Sequence, residues 1–235
     1  MKKKLGILVL LVFALGILCM PEAFAAKKAT LVAAIESEGV EIYNLGEGNY
    51  LLRCDGIPEP VEFPADPFRA DPRLRIFDYD QDGEKELAVL VYIGGGTGVS
   101  LEDIYFFKKQ NGKLVECPYT PEGWYTDLIK KAVGFKTWRE NGRMFVEFTS
   151  PSDTVRIDVT GDLGQDSPAE PASELKCGDV VAFKLGDNGN ITMEAAMGAL
   201  VNNRYTPDYY ADVTAKITFT GGKAALTDVR IVAPK

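Results

Sequence analysis

Leu74-Arg75-Ile76-Phe77-Asp78-Tyr79-Asp80-Gln81-Asp82-Gly83-Glu84-Lys85-Glu86-Leu87-Ala88-Val89-Leu90-Val91-Tyr92-Ile93 sets a short acidic loop between two apolar runs. The runs Leu74–Phe77 and Leu87–Ile93 are rich in aliphatic, β-branched and aromatic residues and read as strands. Counted from Asp78, carboxylates stand at positions 1, 3, 5 and 9, with Gly83 at position 6, where the chain must turn sharply. Alternate carboxylates in so tight a loop can turn their oxygens toward one point, where without a cation they would repel each other. Calcium takes six to eight hard oxygen ligands in flexible geometry. The pattern therefore predicts a Ca2+ loop over residues 78–86, with Asp78, Asp80, Asp82 and Glu86 as side-chain ligands and Glu84, at position 7, offering its backbone carbonyl. The competing reading is an acidic turn whose Asp side chains bond local backbone N–H groups. An EF-hand is excluded, because it needs a helix on each side and a Glu at position 12, where this chain has Val89.

On these residues the loop resembles the Asp-x-Asp-x-Asp-Gly-x-x-Glu-Leu loops of integrin-α-like FG-GAP repeats and VCBS-like bacterial extracellular modules. In that resemblance Asp78, Asp80, Asp82 and Glu86 match the side-chain ligands, and Glu84 matches the backbone ligand. The following Gly94–Tyr105 stretch and the Tyr210–Leu226 segment are similar to parts of uncharacterised secreted proteins of Gram-positive-type bacteria. Integrin-type propellers repeat the loop blade after blade. One good copy in 235 residues excludes a seven-bladed propeller. The resemblance implies no reaction.

Outward from the loop, the chain reads as mainly β, at the margin of α+β, built from antiparallel hairpins. Asn111-Gly112, Asn141-Gly142, Asn188-Gly189 and Gly221-Gly222 each separate two β-rich runs, and these dipeptides accept the positive φ angles that tight hairpins demand. Val40–Tyr43 and Tyr50–Arg53 flank a further turn, Gly46–Asn49, while Thr30–Ile35 suits a strand or a short helix. One short helix is expected near 124–133, where Leu128, Ile129, Ala132 and Val133 recur at helical spacing before Gly134. Two stretches read as loops: Pro58–Pro72, with five prolines, and Gly161–Ser173. Residues 26–235 are expected to form a single β-rich domain, since the C-terminal hairpins alone would bury a thin core; a subdivision would fall in 161–173.

Residues 1–25 carry Lys2–Lys4, an uncharged apolar run Leu5–Met20, and Ala23-Phe24-Ala25 ahead of Ala26, the three parts of a secretory signal peptide. The apolar run is shorter than the roughly 20 residues a spanning helix needs. The alternatives are a membrane anchor and lipidation at Cys19, although Leu18 is not the small residue that lipoprotein signals place before the cysteine. The protein is thus expected to be exported, to the medium, cell surface or periplasm, with no membrane span after cleavage. Cleavage takes the formal charge from −8 to −10, which disfavours nucleic acid, whose phosphates require a basic footprint. Cys54, Cys117 and Cys177 remain, an odd set without a CxxC pair, so one disulfide or three buried thiols are both open.

The chain has no histidine. That removes the base of a Ser-His-Asp or Cys-His mechanism and the usual ligands of a zinc hydrolase. The leading expectation is a non-enzymatic exported module with one structural Ca2+, serving adhesion or the binding of an envelope or extracellular ligand. The alternative is an enzyme acting on envelope polysaccharide with two carboxylates. Four weaker features have ordinary explanations beside their functional ones. Asp187-Asn188-Gly189-Asn190 is half a calcium loop or a turn, and Asp158, Asp162 and Asp166 are solvated loop charge. Gly94–Gly98 lacks the Lys-Ser/Thr and helix of a phosphate loop. Trp124, Tyr125, Trp138, Tyr205, Tyr209 and Tyr210 are a sugar-stacking surface or core and rim aromatics.

Overall fold

The computed structural model describes residues 29–64, 70–163, 174–200 and 207–233. The signal-peptide segment, Cys19, Asp166 and Tyr205 lie outside them. The chain is predominantly strand. β1 (Thr30–Ile35), β2 (Val40–Gly46), β3 (Asn49–Cys54) and β4 (Ile57–Glu62) form an antiparallel meander in that order. β4 corrects the loop expected over Pro58–Pro72. Pro58 and Pro60 sit in a strand opposite Arg53 and Leu51, and that strand is an edge, where a missing N–H costs no ladder bond on the open side.

β5 (Arg73–Phe77), β6 (Glu86–Gly96), β7 (Val99–Gln110) and β8 (Lys113–Glu116) follow, then the helix α1 (Trp124–Ala132). β9 (Gly134–Glu140), β10 (Arg143–Thr149) and β11 (Thr154–Asp158) make a three-stranded antiparallel sheet and lead into a single helical turn, α2 (Thr160–Leu163). β12 (Lys176–Leu185), β13 (Ile191–Ala199), β14 (Asp208–Thr220) and β15 (Lys223–Val232) complete the chain. The largest sheet runs β15-β14-β13-β12-β7-β6-β5, with β8 paired to β7. Among the described residues every strand pairing is antiparallel except β7–β12, which run parallel across Ser100–Val180 and Leu101–Val181. The expected Asn-Gly and Gly-Gly hairpins all form, at β7–β8, β9–β10, β12–β13 and β14–β15.

β12 and β8 share one edge of β7. Beyond the two parallel pairs, Glu102 accepts a hydrogen bond from the Phe183 N–H at 2.7 Å. Between there and β8, the Cys117 N–H reaches the Phe106 carbonyl and the Thr120 hydroxyl the Ile104 carbonyl. Residues 117–120 are thereby tied against the middle of β7.

β6 is buried on both faces, which is why it reads as an unbroken apolar run rather than an alternating one. Ala88 and Leu90 join Ile104, Phe106, Trp124, Ile129, Val146, Phe148, Met193 and Val213 in the larger core cluster. Leu87, Val89 and Val91 join Val40, Ile42, Tyr50, Leu52 and Phe107 in the smaller one, beneath the meander. The larger cluster draws on residues both before and after the 161–173 stretch. α1 buries Trp124, Tyr125 and Ile129, Trp124 stacks on Phe183 at 5.7 Å, and Lys130 and Lys131 complement the helix C-terminus. Among the described residues no helix is long and apolar enough to cross a membrane, and Cys54, Cys117 and Cys177 are all free thiols.

Candidate metal centre in the β5–β6 loop

The loop leaves β5 at Phe77 and enters β6 at Glu86, so its ends are clamped by a cross-strand pair. Two residues take left-handed backbone to fold it, Gln81 (φ 61°) and Gly83 (φ 94°). A β-carbon at position 83 would meet the left-handed penalty, which is why glycine serves there.

Four carboxylates divide their oxygens between the loop backbone and its interior. Asp78 Oδ2 accepts the Gly83 N–H at 3.0 Å, Asp80 Oδ1 the Asp82 N–H at 3.2 Å, Asp82 Oδ1 the Glu84 N–H at 2.9 Å, and Glu86 Oε2 the Tyr79 N–H at 2.8 Å. These bonds shape the turn, as the acidic-turn reading expects. The other four oxygens have a different surrounding. Asp78 Oδ1 is sealed from solvent and accepts no hydrogen bond. Asp80 Oδ2 accepts the Tyr119 hydroxyl. Asp82 Oδ2 and Glu86 Oε1 lie 2.5 and 2.9 Å from the Lys108 ammonium. Asp78, Asp80 and Glu86 each bring one carboxylate oxygen within 4.8 Å of the others, a cluster that could hold a metal ion. Asp82 and Glu84 stand on its outer side, their side chains 48% and 70% exposed.

Glu86 anchors the cluster. Its side chain is 0% exposed, and a carboxylate so placed demands a partner charge. Lys108, 8% exposed, supplies one, and also lies 3.7 Å from Asp80 and 3.8 Å from Glu84. Burial disfavours the Lys108 ammonium, but the hydrogen bond to Asp82 and the charge of Glu86 outweigh it and raise its pKa. The hydrogen bond from Lys108, followed by that from the Glu84 N–H, holds Asp82 below the usual carboxylate range. Burial, and then the bond to Asp80, raises the Tyr119 hydroxyl; burial, and then Glu86, pushes the Cys117 thiol up to about 11.

Lys108 and Tyr119 carry no motif. Lys108 reads as one of two lysines after an apolar strand, and Tyr119 as a residue in a Pro-containing turn. A period-2 reading of Ile104–Lys108 does place Lys108 on the face of Ile104 and Phe106, the only available hint that it is not a surface lysine.

Most of the remaining candidates among the described residues have ordinary structural roles. In the β12–β13 turn, Asp187 pairs with Arg75 at 2.6 Å, the Gly186 N–H bonds the Asn190 carbonyl, and Gly189 packs under the Phe77 ring. Asp158 caps Thr160, whose hydroxyl and N–H hold its pKa down. Gly94–Gly96 end β6, and β7 rather than a helix follows. The aromatics among the described residues do not share one surface. Trp124, Tyr125 and Tyr210 are buried, Tyr209 bonds Asp179 at 3.0 Å, and Trp138 lies on the three-stranded sheet. There Trp138 stacks on Phe145 at 5.5 Å, with the Arg156 guanidinium over both rings. The buried acid outside the loop, Asp103, accepts the Trp124 indole N–H at 3.1 Å and the Ile104 N–H at 2.8 Å on one oxygen, and burial raises its pKa.

No known protein-family signature matches the chain, and no curated protein is similar to it in sequence.

Proposed function

We propose that this protein is an exported, non-enzymatic β-rich module whose loop 78–86 binds one Ca2+ as a structural staple between β5 and β6. The observation that carries the reading is the convergence of Asp78, Asp80 and Glu86 oxygens within 4.8 Å around a fully buried carboxylate. Hard oxygen donors without histidine or a clustered thiolate favour an alkaline-earth ion over zinc or copper. Asp82 and the Glu84 carbonyl complete the expected ligand set. The ion would pin the loop between the last residue of β5 and the first of β6, stabilising the folded state by mass action rather than performing chemistry.

The sequence of residues 1–25 supports export, and the acidic charge suits an envelope or extracellular partner rather than nucleic acid. The module would act there in adhesion or ligand binding. A calorimetric Ca2+ titration of chelator-treated protein, beside Asp80→Ala, tests the site. One site in the parent, lost in the variant, is expected. No heat and no thermal shift up to about 5 mM, above the range of extracellular calcium modules, would overturn the reading. Fractionation and N-terminal sequencing test export, with a mature chain beginning at Ala26 expected.

A further inference from the structure

The proposed calcium site already contains a cation. The Lys108 ammonium lies inside the ring of carboxylates, 2.5 Å from Asp82, 2.9 Å from Glu86, 3.7 Å from Asp80 and 3.8 Å from Glu84. A divalent ion would draw on the same oxygens at about 2.3–2.6 Å. An ammonium and a Ca2+ sharing Glu86 and Asp80 at those distances would be two cations in near contact, repelling each other on the buried, Glu86 side of the site where water screens them least.

We propose that Lys108 is a tethered counter-cation that competes with the divalent ion, so that binding at this loop is an exchange of an ammonium for Ca2+. The proposal rests on the calcium reading above and adds the means by which the site is held and tuned. Three observations support it independently of the acidic pattern. The Glu86 side chain is 0% exposed and directed at the same point as Lys108. Asp78 Oδ1 is sealed from solvent with no hydrogen bond, so the ammonium does not satisfy the whole ring. Lys108 also has an exit: Glu84, at the outer rim and 70% exposed, lies next to Nζ, and the flexible four-carbon stem can carry the charge toward it. The exchange has two consequences. The ion-free loop stays folded around its own lysine, and calcium affinity is weaker than the four carboxylate ligands alone would provide.

The test compares the parent with Lys108→Met in calcium titrations, and measures acylation of Lys108 in the parent with and without saturating Ca2+, read by peptide mass spectrometry against the exposed Lys113. Lys108→Met is expected to bind Ca2+ at least tenfold more tightly and to melt at a lower temperature without it. In the parent, Lys108 is expected to be protected without Ca2+ and several-fold more reactive with it. Equal or weaker affinity in Lys108→Met while the parent binds would overturn the exchange and leave the calcium site standing. Unchanged Lys108 protection at saturation would do the same, and that readout needs no variant to fold. Absence of binding by both proteins would overturn the calcium reading itself, and the exchange with it.

Discussion

The Lys108 ammonium lies 2.9 Å from Oε1 of Glu86, a carboxylate with no solvent exposure; Glu86 opens β6 and Lys108 stands near the end of the neighbouring strand β7. Continuing the Leu87–Phe107 pairing by one residue sets Glu86 opposite Lys108 on the face of the larger core. Removing Lys108 would leave Glu86 a buried, unpaired carboxylate, whereas removing Glu86 would leave Lys108 its contacts with Asp82 and Asp80.

Lys108→Met should therefore destabilise the calcium-free protein by about 3 kcal/mol, and Glu86→Leu by less. The double variant should lose clearly less than the sum, since it removes both charges together. Urea unfolding of all four proteins checks this. Additive losses would show that the pair is not coupled.

Calcium at about 100 times its dissociation constant should raise stability by about 2.7 kcal/mol. For a domain of this size that corresponds to a melting shift of roughly 5–10 °C. A chelator should reverse it, and Asp78→Ala should abolish it. Differential scanning calorimetry across a calcium series is the measurement.

Asp103 has a raised pKa because burial disfavours its charge. Its stabilising contribution is fully present below the ordinary value near 3.8 and is lost as pH rises through the higher folded value. Asp103→Asn keeps an Oδ1 acceptor for the Trp124 indole and the Ile104 N–H but carries no charge. The variant should gain stability relative to the parent as pH rises from about 4 to 7, the upward direction of the shift, and should show no advantage below the ordinary carboxylate pKa. Unfolding free energies at several pH values test it; an advantage constant with pH would contradict the assignment.

Gly189 takes φ 77° beneath Phe77, and a β-carbon built there falls 2.5 Å from Cγ of the ring. Because Cγ is at the root of the ring, the whole side chain would have to move. Gly189→Ala should cost about 2–3 kcal/mol, combining left-handed strain with overpacking. In the Phe77→Ala background the same change should cost only about 1–2 kcal/mol, the share due to strain. Thermal or urea unfolding of the pair of backgrounds separates the two contributions.

Much of the β architecture is legible because its determinants are local. Asn111-Gly112, Asn141-Gly142, Asn188-Gly189 and Gly221-Gly222 name their hairpins, since positive φ is a property of the turn residues themselves. The α1 pattern is equally local. β4 was hidden by Pro58 and Pro60, because only the sheet order reveals that the strand is an edge where proline is tolerated. The aromatic residues could not be assigned to one surface or several, because residues close in number, such as Trp124 and Trp138, lie on a helix and on a separate sheet.

The sequence by itself determined that the chain is built of antiparallel hairpins and that an acidic loop with a sharp glycine turn joins β5 to β6. Spacing alone placed Asp78, Asp80 and Glu86 as neighbours, because a loop of nine residues closed by a strand pair leaves them little room to be apart. Only the tertiary structure decided that Lys108 and Tyr119 reach the same carboxylates. The reason lies in the β6–β7 register, which shifts by one residue between Tyr92 and Gly94. Without that bulge Lys108 would face Leu87 instead of Glu86, and in a strand of period two a one-residue slip exchanges the faces. The charge that fills the loop is thus chosen by an irregularity in the ladder, which no local pattern of residues encodes.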